Sequence, residues 1–191
     1  IYEDHEKQVY CGMDMLRLSL EGERQTNSAC AKLFNARFFH GVRFAEGKSI
    51  NEDGFFLFQC YMLKPTVIQH NESVYFYYIR SNSNSRNVFS EKYFDMLYFC
   101  ERKKQIINRD FPELSDQLIT MEVSTHLFFL EILCRTTEKK YKFAQKNSIK
   151  LVKKYYPIFY CMNKHERKMA WIVAHGLYPI YKKLVRMKYY R

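Results

Sequence analysis

The feature that most restricts the fold of this chain is the run FFLFQCYML at residues 55 to 63. Glutamine is the only clearly polar residue in it, so the run is too apolar to lie on a surface and belongs in a core. Glu52 and Asp53 precede it directly. We therefore expect this acidic pair to lie where a buried helix meets water, which is a common place for chemistry.

The acidic pair also has a purely structural explanation. Residues 49 to 52, Ser-Ile-Asn-Glu, fit a capping box, in which a serine and a glutamate bond the free amides at a helix start. Carboxylates are also stabilised there by the positive end of the helix dipole. Composition alone favours this explanation over a catalytic one.

The order of the flanking segments shifts this balance. Lys32, Leu33 and Phe34 form a Lys-Leu-aromatic element, and VRFAEG then leads towards the acidic pair. An aromatic segment that includes Tyr75 and Tyr77 follows, and it ends in arginine and serine. From Tyr10 to Ser90 the chain resembles family 2 glycosyltransferases, in particular bacterial members that build capsular or other surface polysaccharides.

The resemblance implies catalytic and binding roles for the matching residues. Asp53, beside Glu52, aligns with the catalytic base, which would accept the proton of a sugar hydroxyl as it attacks an anomeric carbon. The donor- or acceptor-binding positions would be Lys32, Arg80, Ser83 and Arg86. Arginine suits a donor diphosphate because its planar fork stays charged and grips phosphate at two points.

The resemblance further implies an inverting enzyme with a GT-A fold, a nucleotide-sugar donor, a glycan or lipid-linked acceptor and a divalent metal, Mn or Mg. The nucleotide-binding half of such enzymes has no counterpart here, because no Asp-x-Asp occurs between Ile1 and Arg191. We therefore expect the metal ligands to lie outside this chain. The chain is interpreted as the C-terminal part of a longer enzyme, inactive in isolation.

The sequence predicts a helix-rich α+β fold in two parts. Residues 1–89 would form the acceptor-side half of the GT-A domain, and residues 90–191 an all-α C-terminal region. The individual predictions are a helix at 9–21, strands at 66–70 and 74–79, a helix at 91–108, a long helix after Pro112 to about residue 136, and a last helix capped by Asn163 and Glu166 that Pro179 bends or breaks.

Positive charge is concentrated in the C-terminal part. Residues 138–191 hold 15 Lys and Arg against 2 Asp and Glu, whereas residues 1–137 hold 16 against 18. Such a block favours an anionic partner. We expect one amphipathic helix near the end, with Leu177, Ile180, Tyr181, Leu184 and Val185 on one side and Lys182, Lys183, Arg186 and Lys188 largely on the rest.

Two interpretations of this basic tail stay open. Residues 177–191 can lie on an anionic membrane surface, or the helix can simply pack on its neighbours with a solvated basic face. As alternatives to an enzyme, the chain can be a non-catalytic helical interaction module or a basic nucleic-acid-binding domain. No recognised nucleic-acid motif accompanies the basic residues, so we do not expect a nucleic-acid partner.

Cysteine usage and hydropathy bear on localisation. The six cysteines include no C-x-x-C pair, which predicts neither a zinc site nor a disulfide framework. A reducing cytoplasm is the simplest environment for them. The apolar runs fall far short of the roughly 20 residues of a membrane span. We therefore expect a cytoplasmic protein, peripheral on the inner face of the plasma membrane if the tail binds lipid.

Overall fold

A computed structural model describes residues 8–22, 27–70, 75, 76, 78, 89–158 and 163–189. The chain divides into two compact units, Ile1–Arg86 and Asn87–Arg191. The described part of the first unit combines two helices with two short strands, whereas that of the second is built from helices. The division falls close to the boundary at 89/90 that the sequence suggests.

In the first unit, a two-stranded antiparallel sheet accompanies a pair of packed helices. The elements are β1 (Gln8–Tyr10), α1 (Gly12–Glu21), α2 (Glu52–Met62) and β2 (Val67–Gln69). Val9 of β1 lies opposite Ile68 of β2. Helices α1 and α2 pack on each other and share an apolar core of Met15, Leu16, Leu20, Leu57, Phe58, Cys60 and Tyr61. The apolar run at 55–63 is thus buried along one face of α2, while Leu63 after its end is exposed.

Two local predictions in this unit need correction. The helix predicted at 9–21 begins only at Gly12, because the residues before Cys11 pair with β2 instead. The strand predicted at 66–70 is confirmed by β2. Of the strand predicted at 74–79, the described residues 75, 76 and 78 are exposed and are not part of a strand. The other residues of that segment lie outside the described part.

The second unit is a helical assembly built around one central helix. Its helices are α3 (Phe94–Asp110), α4 (Ser115–Leu133), α5 (Lys142–Tyr155), α6 (Lys164–Ala174) and α7 (Tyr178–Tyr189), and short 3₁₀ turns lead into the first three. Helix α4 packs against α3, α5 and α6. One apolar core cluster of the unit consists of Val123, Leu127, Leu130, Cys134, Val152, Met169, Ala170, Ile172, Val173 and Tyr178.

Helix boundaries in this unit follow local signals. The helices predicted at 91–108 and after Pro112 are confirmed by α3 and α4. The Asn163 side chain accepts the Glu166 amide at 2.8 Å, which confirms the predicted cap of α6. The break predicted at Pro179 is wrong in position. The chain turns at Gly176, whose φ is 76°, and Pro179 lies in the first turn of α7, where its missing N–H leaves no bond unmade.

Candidate functional site

The acidic pair opens α2, as the sequence predicts, but without the capping box. Glu52 and Asp53 are the first two residues of the helix, and both are half-buried. The helix cap is Asn51 rather than Ser49, and the Asn51 side chain makes no capping hydrogen bond. Instead, Oδ1 of Asp53 accepts the backbone N–H of Gly54 at 2.8 Å. The carboxylate therefore lies within the first turn, where the helix dipole favours negative charge.

Gly54 allows polar side chains to gather over this first turn. A Cβ atom at position 54 would lie 2.3 Å from Oδ1 of Asn51 and 3.5 Å from Oδ1 of Asn27. The first distance is a severe clash, so any larger residue here would displace the Asn51 side chain. The absence of a side chain at Gly54 thus keeps two amide oxygens next to the acidic pair.

Lys32 approaches this turn from a separate segment of the chain. Burial lowers the pKa of Lys32 below its ordinary value, and electrostatic interactions with Cys30 and Asp53 act in the opposite direction. The Lys32 ammonium also donates a hydrogen bond to the carbonyl of Ser28. The structure therefore brings Lys32 and Asp53 within electrostatic reach of each other.

Left-handed backbone precedes both of these segments. Ala31, with φ of 55°, comes directly before Lys32, and Asn51, with φ of 67°, comes directly before Glu52. A residue other than glycine with left-handed φ is strained, less so for asparagine than for alanine, and such strain clusters at functional sites. Strained backbone thus lies directly before both Lys32 and the acidic pair.

An aromatic cluster attaches the 27–51 loop to α2 beside the acidic pair. Phe34 packs edge-on against Phe39 and Phe56, at ring-centroid distances of 5.7 and 5.5 Å. Phe44 stacks on Phe56 at 4.2 Å with the rings almost parallel. Leu33 points fully into solvent. Within the Lys-Leu-aromatic element, Lys32 and Phe34 therefore face the protein.

The remaining predicted site residues cannot be placed against this turn. Arg80, Ser83 and Arg86 lie outside the described part of the chain, as does Tyr77. Tyr75 is described and half exposed. Among residues that the structure describes, no group of three or more His, Cys, Asp or Glu is positioned to hold a metal ion.

The orientation of the C-terminal amphipathic helix differs from the prediction. Tyr178 is buried in the core, and Tyr181 and Val185 pack beside it. The outer face instead carries an apolar stripe of Leu177, Ile180, Leu184 and Met187, with exposures from 36% to 60%. The sequence prediction grouped three of these four on one side with Tyr181 and Val185, which the structure turns towards the core instead. It also missed Met187, although the spacing of 177, 180, 184 and 187 matches one helical face.

Two of the residues assigned to the solvated basic face also point inwards. The Lys182 ammonium donates to the side-chain carbonyl of Gln145 at 2.8 Å. The Arg186 guanidinium donates to the carbonyl of Cys134 at 3.1 Å and also to that of Thr136. Carbonyls at the end of a helix lack intrahelical partners. The long side chain of Arg186 lets its guanidinium reach the carbonyls that follow α4. This part of the prediction is therefore wrong.

Across the described ranges, no helix has both the length and the apolar character of a transmembrane segment.

Comparison with known proteins gives one partial match. Over 87 residues the chain is 40% identical to glycosyltransferase GlyA of Streptococcus pneumoniae serotype 4. The matched part is 44% of this chain and 12% of GlyA, so the chain spans a small part of the length of this relative. No protein-family model and no solved structure matches the chain. The chain is thus related to a glycosyltransferase over part of its length.

Proposed function

We propose that this chain is the acceptor-side part of an inverting family 2 glycosyltransferase with a GT-A fold, of the bacterial type that builds capsular or other surface polysaccharides. The observation that carries the proposal is the half-buried Asp53 carboxylate at the start of α2, within electrostatic reach of Lys32. The partial identity to a glycosyltransferase supports it.

In this proposal Asp53 is the general base. One carboxylate oxygen is oriented by the N–H of Gly54, and a carboxylate can accept further hydrogen bonds, including one from an acceptor hydroxyl. Asp53 would take the hydroxyl proton as the oxygen attacks the anomeric carbon and the nucleoside diphosphate leaves. Glu52 and the neighbouring amides of Asn27 and Asn51 offer polar groups for the other sugar hydroxyls.

The donor would bind across this part and a nucleotide-binding half supplied by other sequence. Lys32 would bind donor or acceptor by its positive charge, and Arg80, Ser83 and Arg86 would do so from the segment beyond the described residues. A Mn²⁺ or Mg²⁺ ion, held by ligands outside this chain, would neutralise charge on the leaving diphosphate. We accordingly expect no transfer by the isolated chain, and a cytoplasmic site of action where nucleotide sugars are available.

The decisive test replaces Asp53 by asparagine in the full-length protein. Asparagine keeps the shape of the side chain but cannot accept the proton, so sugar transfer should fall by about 10²- to 10⁴-fold. Release of nucleoside diphosphate from a panel of nucleotide sugars measures the rate, and circular dichroism verifies that the fold is intact.

Asp116→Asn is the matched control. Asp116 is likewise the second residue of a helix, α4, but it is exposed and lies in the second unit, so its neutralisation should leave transfer unchanged. Transfer by Asp53→Asn at a rate close to that of the unaltered protein would contradict the proposal. The acidic pair would then serve only to start α2, as expected for a non-catalytic helical module.

We also propose an anionic membrane surface as the partner of residues 177–191. The exposed apolar stripe on α7 supports this partner, since such a stripe can enter the lipid interface. Residues 138–191 contain 15 basic and 2 acidic residues, so their positive charge is complementary to an anionic lipid surface. A lipid-linked acceptor would be reached from this position. Nucleic acid, the rival partner, has no comparable use for the apolar stripe.

A further inference from the structure

The helical C-terminal unit contains an open cleft of about 510 Å³ between the connection from α4 to α5 and helix α7. Five cationic residues line it: Lys139, Lys142, Lys182, Lys183 and Arg186. The lining includes a single carboxylate, that of Glu138. We call this feature the basic cleft. Its volume lies within the range of small-molecule sites.

The positive charges of the basic cleft are poorly compensated by the chain itself. Glu138 lies 3.1 Å from the ammonium of Lys140, which is outside the cleft, so its charge is shared. Within the described ranges, the ammonium groups of Lys139, Lys142 and Lys183 make no hydrogen bond or ion pair. An anion in the cleft would therefore meet three available cationic donors.

Two further cations that line the basic cleft, Lys182 and Arg186, are partly buried and held in place. Lys182 is bonded to Gln145, and Arg186 to the carbonyls after α4. Burial, and then the charge of Arg186, lowers the pKa of Lys182 below its ordinary value. Uncompensated charge in a partly buried site is costly, and a bound anion would relieve that cost.

We propose that the basic cleft binds a phosphate or diphosphate group. Two fixed, partly buried cations and three exposed lysines suit the several oxygens of such a group. Leu133, Pro179 and Met187 also line the cleft, so it offers apolar surface to an organic group attached to the phosphate. That phosphate can come from a soluble phosphorylated compound or from a lipid headgroup. The site lies in the second unit and does not depend on the role of Asp53.

The first experiment measures binding of inorganic pyrophosphate to the full chain by isothermal titration calorimetry. In the variant Lys139→Gln/Lys142→Gln/Lys183→Gln, binding should weaken by about tenfold or more, since each charge-assisted bond contributes appreciably. The matched control is Lys146→Gln/Lys150→Gln/Lys153→Gln on α5. It removes the same net charge from exposed residues that do not line the cleft, so its binding should be unchanged.

The second experiment separates the two phosphate sources. Both triple variants are sedimented with phosphatidylcholine vesicles that contain or lack phosphatidylglycerol. If the cleft variant, but not the control variant, loses binding to vesicles with phosphatidylglycerol, the ligand is a lipid headgroup. If the cleft variant loses binding to pyrophosphate but still binds these vesicles, the ligand is a soluble phosphorylated compound. Equal behaviour of the two triple variants in both assays overturns the proposal, because it shows diffuse charge attraction without a defined site.

Discussion

The phenolic hydroxyl of Tyr178 donates a 2.7 Å hydrogen bond to the main-chain carbonyl of Leu130, and this bond joins the start of α7 to α4. Tyr178 is 1% exposed, and the thiol of Cys134 lies 3.6 Å from its hydroxyl. Burial is the main cause that raises the pKa of Tyr178 above its ordinary value. This anchor fixes which face of α7 points outwards, and hence the position of both the apolar stripe and the basic cleft.

Replacement of Tyr178 by phenylalanine should lower the free energy of unfolding by about 1–2 kcal/mol. The ring still fills the core, but the buried carbonyl of Leu130 loses the donated hydrogen bond. Urea unfolding followed by circular dichroism measures the change. Tyr78→Phe is the control, since Tyr78 is 84% exposed and its hydroxyl can bond water. Equal destabilisation by the two changes would contradict the anchoring role.

Stability should fall on acidification because of His126. Its Nδ1 lies 2.9 Å from the hydroxyl of the buried Ser148, and burial followed by the charge of Lys104 lowers its pKa to about 4. The unfolded chain binds a proton at this residue below about pH 6.5, whereas the folded chain does so only near pH 4. The stability that neutral His126 contributes to the folded chain is therefore fully present above pH 6.5 and is lost as the pH falls from about 6.5 to about 4.

The measurement compares unfolding free energies at pH 7 and pH 5. The expected loss from this one residue is about 2 kcal/mol, and His126→Gln should remove it from the pH dependence. His40→Gln, at an exposed residue, should leave the dependence as it is. If the His126 variant loses stability between these pH values as steeply as the unaltered chain, the depressed pKa does not control acid stability.

Gly12→Ala should destabilise the first unit, although alanine is the better helix former. A Cβ atom at position 12 would lie 2.0 Å from the Cα of Lys64, so the backbone must move. Overpacking of this kind costs about 1–3 kcal/mol, more than the gain of about 1 kcal/mol in helix propensity. Thermal unfolding measures the difference. Arg17→Ala, at an exposed position of α1, should change stability little, and an unaltered melting temperature for Gly12→Ala would refute the close contact.

The apolar stripe on α7 should be needed for membrane binding. Ile180→Ser/Leu184→Ser removes two exposed apolar side chains, so affinity for phosphatidylglycerol vesicles should drop by about tenfold or more. Phe143→Ser is the control, because Phe143 is 75% exposed on α5. Unchanged vesicle binding by the double variant would exclude the stripe as a lipid contact. Tight binding of a single-stranded oligonucleotide, without vesicle binding, would favour the nucleic-acid alternative instead.

Local signals in the sequence predict several of the helices, but not α5 and not the division between α6 and α7. The apolar run after Asp53 predicts α2, and the pair Asn163 and Glu166 predicts the start of α6, because both depend on residues within one or two turns. The capping box predicted at Ser49 does not form, because the helix cap is Asn51, two residues later, where the backbone is left-handed. The catalytic role of Asp53 stays a prediction, since Arg80, Ser83 and Arg86 lie outside the described residues.

The sequence by itself determined that α2 is buried, that its first turn is acidic and that the C-terminal part is basic, because these properties follow from composition and local periodicity. The tertiary structure decided which residues meet. Phe34 packs on Phe56 of α2, and Lys32, two residues earlier in the same segment, comes within electrostatic influence of Asp53. Helix α7 has two adjacent apolar faces, and the periodicity of the sequence does not show which of them packs into the core. The inner stripe is the one with Tyr178, because its hydroxyl finds the carbonyl of Leu130 there while Arg186 bonds the carbonyls that follow α4.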